Sequence, residues 1–325
     1  MQWARLTVNG QMIGKGGFEM RNGLMGLVCV FAMMACGAER TDFLHLSHVH
    51  RGGGKLERPD NTLETFLWCW GNGSALECDC RCTADGVGIM FHDNDLNRTP
   101  RGIPDTWKKR KISEMKWEEI RDIDVGSYLS PEYASQRIPT IEAVMAAMKG
   151  RPTYLLFVDE KGAGPDRIAA EAKKFNVQDQ VYYTGPSYGN SVRWTEVVPN
   201  GKTLLWVGAW PKNHSPEEMK RTEAHFEKIF NEVRAGGWKG VTAVSLHTYY
   251  NTQYDDPFVP STAYLKKLID ECHAHGVKVC SIPFEGGETE EVYHKLWELG
   301  CDAFSTDYPS VMFKVIRDLK AKAGK

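Results

Sequence analysis

The sequence predicts one closed parallel α/β barrel of the (β/α)₈, or TIM-barrel, type, with a small insertion after its second strand. Three observations predict it. After residue 40, eight runs rich in β-branched and aromatic residues alternate with eight amphipathic stretches, and an alternation that long closes a parallel sheet on itself. The chain has 325 residues, 42% of them hydrophobic, which is enough for one large core. No Gly-x-Gly-x-x-Gly turn follows the first strand, as an open dinucleotide-binding sheet would require.

The expected strands are residues 43–50, 75–82, 153–161, 181–184, 203–207, 241–249, 277–283 and 303–306. Parallel strands covered on both faces read as short, nearly continuous apolar runs, as these do. The expected helices are 62–70, 140–148, 166–175, 188–197, 216–233, 262–275, 289–299 and 310–322. Asn61, Ser187, Ser215 and Ser261 stand at helix starts, where a side-chain oxygen can accept a free backbone N–H. Residues 87–93 read as an extra strand after the second one. Residues 94–138 then form a polar insertion that contains Trp and Tyr but has no strong period. Such an excursion serves as a lid or as a packing cap over the barrel mouth.

Residues 1–40 read as an N-terminal extension plus a signal peptide, and 41–325 as the barrel domain. Arg21 precedes an apolar run, 24–35, that ends in the small residues Cys36, Gly37 and Ala38. The run is shorter than the roughly 20 apolar residues a membrane span needs, so it fits a secretory signal better than an anchor. Met20 is the expected start, because Lys15-Gly16-Gly17 can be encoded by a ribosome-binding sequence just upstream. Export follows as an expectation, to the periplasm, the outside or the cell surface. Cys36, after Met33-Met34-Ala35, is a poor match to a lipidation signal, so soluble and lipid-anchored forms both stay open. The net charge of −2 suggests no nucleic-acid partner. Of nine cysteines, Cys29 and Cys36 fall in the signal region, and the seven left are too odd a number for a complete disulfide framework.

Chemistry in such a barrel sits at the C-terminal ends of the strands. The first strand ends in His50-Arg51-Gly52, a proton carrier followed by a guanidinium fork suited to phosphate. Strand side chains alternate faces, so Glu77, Asp79 and Arg81 point into the barrel while Cys78, Cys80 and Cys82 point out toward the helices. Two inward carboxylates suit a divalent cation, the alternative being an ion pair with Arg81. The same alternation puts Asp159 and Lys161 inward as third oxygen ligand and substrate cation, unless a bulge substitutes Glu160. His92 ends the extra strand beside this site and suits general acid–base work. Trp206, Trp210, His247 and Tyr249, at other strand ends, are candidates to line the pocket.

In order and spacing, these residues resemble the glycerophosphodiester phosphodiesterases. The matching stretches are His50-Arg51-Gly52, Pro59-Asp60-Asn61-Thr62-Leu63-Glu64, Glu77-Cys78-Asp79, Phe91-His92-Asp93-Asn94 and Thr306-Asp307-Tyr308-Pro309. The resemblance implies a (β/α)₈ barrel that hydrolyses small glycerophosphodiesters to sn-glycerol 3-phosphate and an alcohol. It implies His50 and His92 as the acid–base pair, and Glu77 and Asp79 as ligands of Ca²⁺ or Mg²⁺. Two departures stand out. The family's Glu-x-Lys reads Asp159-Glu160-Lys161 here, and its Trp-Thr pair is replaced by Ser281-Ile282-Pro283-Phe284, followed by Glu285. Rival readings are a phosphodiesterase acting on intact lipid, a sugar- or acid-processing metal barrel, and a non-catalytic binding barrel.

Overall fold

The computed structural model describes residues 40–284 and 287–323. Met20, Cys29, Cys36 and Glu285 lie outside the described residues, as does the expected signal segment.

Ten strands are present among the described residues: β1 (His48–Val49), β2 (Ala75–Cys82), β3 (Gly88–Met90), β4 (Leu156–Glu160), β5 (Val181–Gly185), β6 (Lys202–Val207), β7 (Ala243–Tyr250), β8 (Phe258–Val259), β9 (Lys278–Phe284) and β10 (Ala303–Thr306). β1, β2, β4, β5, β6, β7, β9 and β10 pair in parallel in that order. The barrel closes because β1 pairs with both β2 and β10. β3 and β8 are antiparallel additions to β2 and β7. The helices are α1 (Leu63–Gly71), α2 (Trp117–Ile120), α3 (Ile141–Met148), α4 (Pro165–Phe175), α5 (Tyr188–Val197), α6 (Pro216–Ala235), α7 (Thr262–Ala274), α8 (Glu290–Leu299) and α9 (Pro309–Ala323).

Strand alternation divides the core into two layers. Leu76, Val158, Leu205, Val244, Val279 and Phe304 face outward and pack with Phe66, Val144, Ile168 and other helix residues. Burial of each such side chain stabilises the fold by about 1.5–3 kcal/mol. Phe157, Tyr182, Leu204, Ala243 and Ala303 fill the barrel interior. There His48, Phe157 and Tyr182 form a stacked row, with centroids 4.3 and 4.4 Å apart. Cys78 and Cys80 lie in the outer layer, Cys280 lies inside, and the seven described cysteines are free thiols.

Three expectations need correction. Residues 43–46 of the first expected strand belong instead to a 3-10 turn, Asp42–Leu46, which sends Leu44 to the outer core and Leu46 to the barrel floor. Asn61 is not a cap: Thr62 is the N-cap of α1, its Oγ1 accepting from the Thr65 N–H at 3.3 Å. The Ser261 hydroxyl bonds to Glu223 rather than to α7, whereas Ser187 and Ser215 cap as expected. The insertion is ordered around its own core, with Phe91, Leu96, Ile112, Met115, Ile120 and Ile138 packed against Ile89 of β3.

Candidate active site

The site begins where β1 stops. Arg51 (φ 53°) and Gly52 (φ 75°) turn the chain sharply through the left-handed region. Glycine is required at Gly54, where an added Cβ would lie 2.3 Å from the Asp307 carbonyl oxygen. The turn presents the Arg51 N–H to Glu77 Oε2 at 2.9 Å and seats His50 Nδ1 2.6 Å from Asp307 Oδ1.

Register assembles the carboxylates. Asp79 of β2 pairs with Asp159 of β4, and Glu77 lies two residues below Asp79 on the same face. Ligand oxygens of Glu77, Asp79 and Asp159 lie within 4.8 Å of one another, and each residue is only 1% exposed. Asn61 holds Asp79 from both sides: its Nδ2 donates to Asp79 Oδ2 at 2.8 Å, and its Oδ1 accepts from the Asp79 N–H at 3.0 Å. These two hydrogen bonds to Asp79 account for Asn61 being held at φ 52°. Lys161 Nζ lies 2.5 Å from Asp159 Oδ2 and 3.7 Å from Asp79 Oδ1. Arg51 reaches Asp60 at 2.8 Å and Asp79 at 3.6 Å. Burial, then the Asp79 carboxylate, pushes Glu77 well above the usual carboxylate range. Burial likewise raises Asp159, against the pull of Lys161.

Glu160 points away, its carboxylate accepting from the Gly162 and Gly164 N–H groups ahead of α4. Arg81 makes no ion pair with the cluster. It donates to the backbone carbonyls of His92 (2.9 Å) and Lys161 (3.2 Å), strapping two strand ends together.

Both imidazoles are oriented by carboxylates. Burial opposes a charge on His50, but the Asp307 hydrogen bond and the nearby Glu77 overcome it and hold its pKa up at about 9. Asp307 in turn belongs to a loop fixed by Glu288. Glu288 Oε2 accepts from Thr306 Oγ1 (2.7 Å), the Asp307 N–H (2.8 Å) and Tyr293 Oη (3.0 Å). His92 Nδ1 lies 2.8 Å from Asp93 Oδ1, and Arg98 bridges Asp93 (2.7 Å) to Asp60 (2.8 Å). Tyr128 Oη donates to Asp60 Oδ1 at 3.1 Å, so the insertion braces the site rather than only covering it.

A cavity of about 170 Å³ brings His50, Arg51, Asp79, His92, Lys161 and Trp206 together. A second, of about 390 Å³, forms the mouth between Lys55, Arg98, Trp210 and Tyr308. Asp79 lines the inner cavity, with Asp159 beside it in register and Glu77 two residues below on the same strand. Trp206, Trp210 and His247 line the inner cavity. Tyr249, also expected there, instead donates its hydroxyl to the Ala209 carbonyl at 3.0 Å and is 2% exposed. Asn61, Asp307 and Glu288 carry site geometry that was not assigned from sequence. Asp307 had a signal, since it follows the end of β10 where site residues collect.

The cluster fits a hard divalent cation. Its donors are all carboxylate oxygens, and Glu77 Oε1 and Asp159 Oδ1 are buried without a hydrogen-bond partner. Three like charges this close are costly to bury unless a cation or protons offset them.

A parallel barrel with an oxygen-donor cluster, two carboxylate-oriented imidazoles and flanking Arg and Lys at its C-terminal rim defines a class of barrel hydrolases for anionic esters. Comparison with known proteins narrows this. The model of the glycerophosphoryl diester phosphodiesterase family matches residues 50–311, and the chain belongs to that family. The glycerophosphodiester phosphodiesterase of Caldanaerobacter subterraneus is 22% identical over 82% of this chain and 96% of its own. The glycerophosphoryl diester phosphodiesterase structure from Parabacteroides distasonis superposes with a TM-score of 0.61, at 20% identity over 87% of this chain and 92% of that one. An Oleispira antarctica phosphodiesterase in complex with the product sn-glycerol-3-phosphate gives a TM-score of 0.58, at 21% identity over 84% and 97% of the two chains.

Proposed function

We propose that this chain hydrolyses glycerophosphodiesters to sn-glycerol 3-phosphate and an alcohol, using one divalent cation, Ca²⁺ or Mg²⁺, and the imidazoles of His50 and His92. The observation that carries the reading is that both imidazoles open onto one cavity with Asp79 of the carboxylate cluster. The product-bound Oleispira relative supports glycerol 3-phosphate as the product class.

Glu77, Asp79 and Asp159 would hold the cation, which when bound supplies Lewis-acid neutralisation of the phosphate. Arg51 and Lys161 stand at the edge of the cluster and stabilise charge on the non-bridging oxygens. Asp307 holds His50 through Nδ1 and Asp93 holds His92 through Nδ1, so each ring offers Nε2 to the substrate. One of the two rings takes the proton of the nucleophile, which is water or the adjacent glycerol hydroxyl, and as the P–O bond to the alcohol breaks the other gives the leaving oxygen a proton.

A coupled assay for glycerol 3-phosphate over a head-group panel, with Ca²⁺, Mg²⁺ or chelator, tests the reading. Release with a divalent ion and none with chelator is expected. Turnover of intact phospholipid but not of glycerophosphodiesters would favour the lipid enzyme instead. Export, proposed from residues 21–38, is tested by N-terminal sequencing of the mature protein. A mature chain that still carried residues 21–38 would overturn signal cleavage, and one that also carried residues 1–19 would overturn the start at Met20.

A further inference from the structure

Across the cavity from the carboxylates, β6 and β7 contribute a group that the proposed chemistry leaves unused. His247 is 3% exposed and lines the inner cavity. Three aromatic rings surround it: Phe284, Trp206 and Trp210, with centroids 5.0, 5.2 and 5.8 Å away. The chain makes room for it, because a Cβ on Gly208 would lie 2.3 Å from His247 Nδ1. Nδ1 is sealed there without any hydrogen-bond partner. A buried N–H with no acceptor costs more than a bare ring nitrogen, so the ring proton belongs on Nε2, which is left to the cavity. His247 is therefore a preorganised N–H donor. Burial keeps it uncharged, with a pKa pushed down to about 3.

An uncharged donor in an aromatic collar is poorly suited to phosphate, which already meets Arg51 and Lys161. It suits a neutral polyol: the N–H binds a hydroxyl oxygen and the ring faces pack against C–H groups. Trp206 ties this place to the phosphate, since its ring lies between His247 and Lys161, whose Nζ is 5.7 Å from the ring centroid. The alcohol varies among phosphodiesters of this kind while the glycerol is constant. The larger mouth cavity takes the variable part, and the smaller inner cavity takes the constant one.

We propose that His247, with Trp206 beside it, forms a neutral hydroxyl-binding subsite that holds the glycerol end of the substrate and so selects glycerol-bearing diesters. The proposal rests on the glycerophosphodiester reading above.

The test is calorimetric binding of sn-glycerol 3-phosphate and of ethyl phosphate, which lacks the hydroxyls, to the intact protein in Mg²⁺ or Ca²⁺. The wild type should prefer glycerol 3-phosphate. His247→Leu should weaken glycerol 3-phosphate about tenfold and leave ethyl phosphate within about twofold, as expected for one lost neutral hydrogen bond with its partner stranded. Gly208→Ala, which displaces the ring, should give the same pattern, and His247→Asn, which keeps an N–H, should recover part of the loss. Thermal unfolding of each variant confirms that it is folded. Equal losses for both ligands, or none for either, overturn the subsite while leaving the proposed reaction intact. A wild type with no preference for glycerol 3-phosphate, and no release of it from diesters, overturns both.

Discussion

Removing the cation should expose the cost of the carboxylate cluster directly. Glu77, Asp79 and Asp159 crowd their oxygens within 4.8 Å, with Lys161 and Arg51 as the nearby cations. A ligand that binds only the folded state stabilises it by about 2.7 kcal/mol when present at about 100 times its Kd. For a domain of this size that corresponds to roughly 5–10 °C in Tm, taking about 2–4 °C per kcal/mol. Differential scanning calorimetry of chelator-treated protein, with and without Ca²⁺ or Mg²⁺, reads this shift. Glu77→Gln should abolish it while leaving the metal-free protein as stable or more so, because one like charge is gone. The pH dependence has a definite sign. Glu77 keeps its proton in the folded chain above the ordinary value of 4.5, at which the unfolded chain loses it. Metal-free stability should therefore fall as pH rises from 4.5 into the neutral range. The cation needs ionised ligands, so its stabilising increment should grow over the same range. A cation-induced shift that is absent in the wild type, or undiminished in Glu77→Gln, would refute the assignment.

Asp307→Asn removes the carboxylate that holds His50, so its pKa should fall from about 9, moving the limb of the pH–rate profile that His50 controls to lower pH. The same change should cut kcat by about 10²–10⁴-fold, measured by glycerol 3-phosphate release. His92→Ala should lose a similar about 10²–10⁴ in kcat with an unchanged unfolding curve, and a near wild-type rate would remove His92 from the mechanism. Asn61→Ala strands two buried groups on Asp79 and places alanine at φ 52°, so it should cost about 1–3 kcal/mol in denaturant unfolding and weaken cation binding.

The barrel was legible because parallel strands buried on both faces are apolar almost throughout, a pattern that survives without tertiary information. The site's geometry was legible where it obeys the same alternation: the inward placement of Glu77, Asp79, Asp159 and Lys161 follows from counting residues along β2 and β4. What escaped depends on contacts between distant segments. Asn61, just before a helix, reads equally as a cap, and only its reach to Asp79, 18 residues on, decides otherwise. Glu288 sits in a loop with no pattern, and its role comes from bonds to Thr306 and Asp307 at the end of another strand. The insertion looked formless because its buried residues come from short turns, which impose neither a helical nor a strand period.

Arg40, where the described chain begins, packs at the barrel floor, over the Trp297 ring and on the Cys301 carbonyl, near the first residue of β9. The catalytic rim lies at the other end of every parallel strand. The described chain therefore enters the barrel at the pole opposite the mouth, and solutes reach the rim without passing that end.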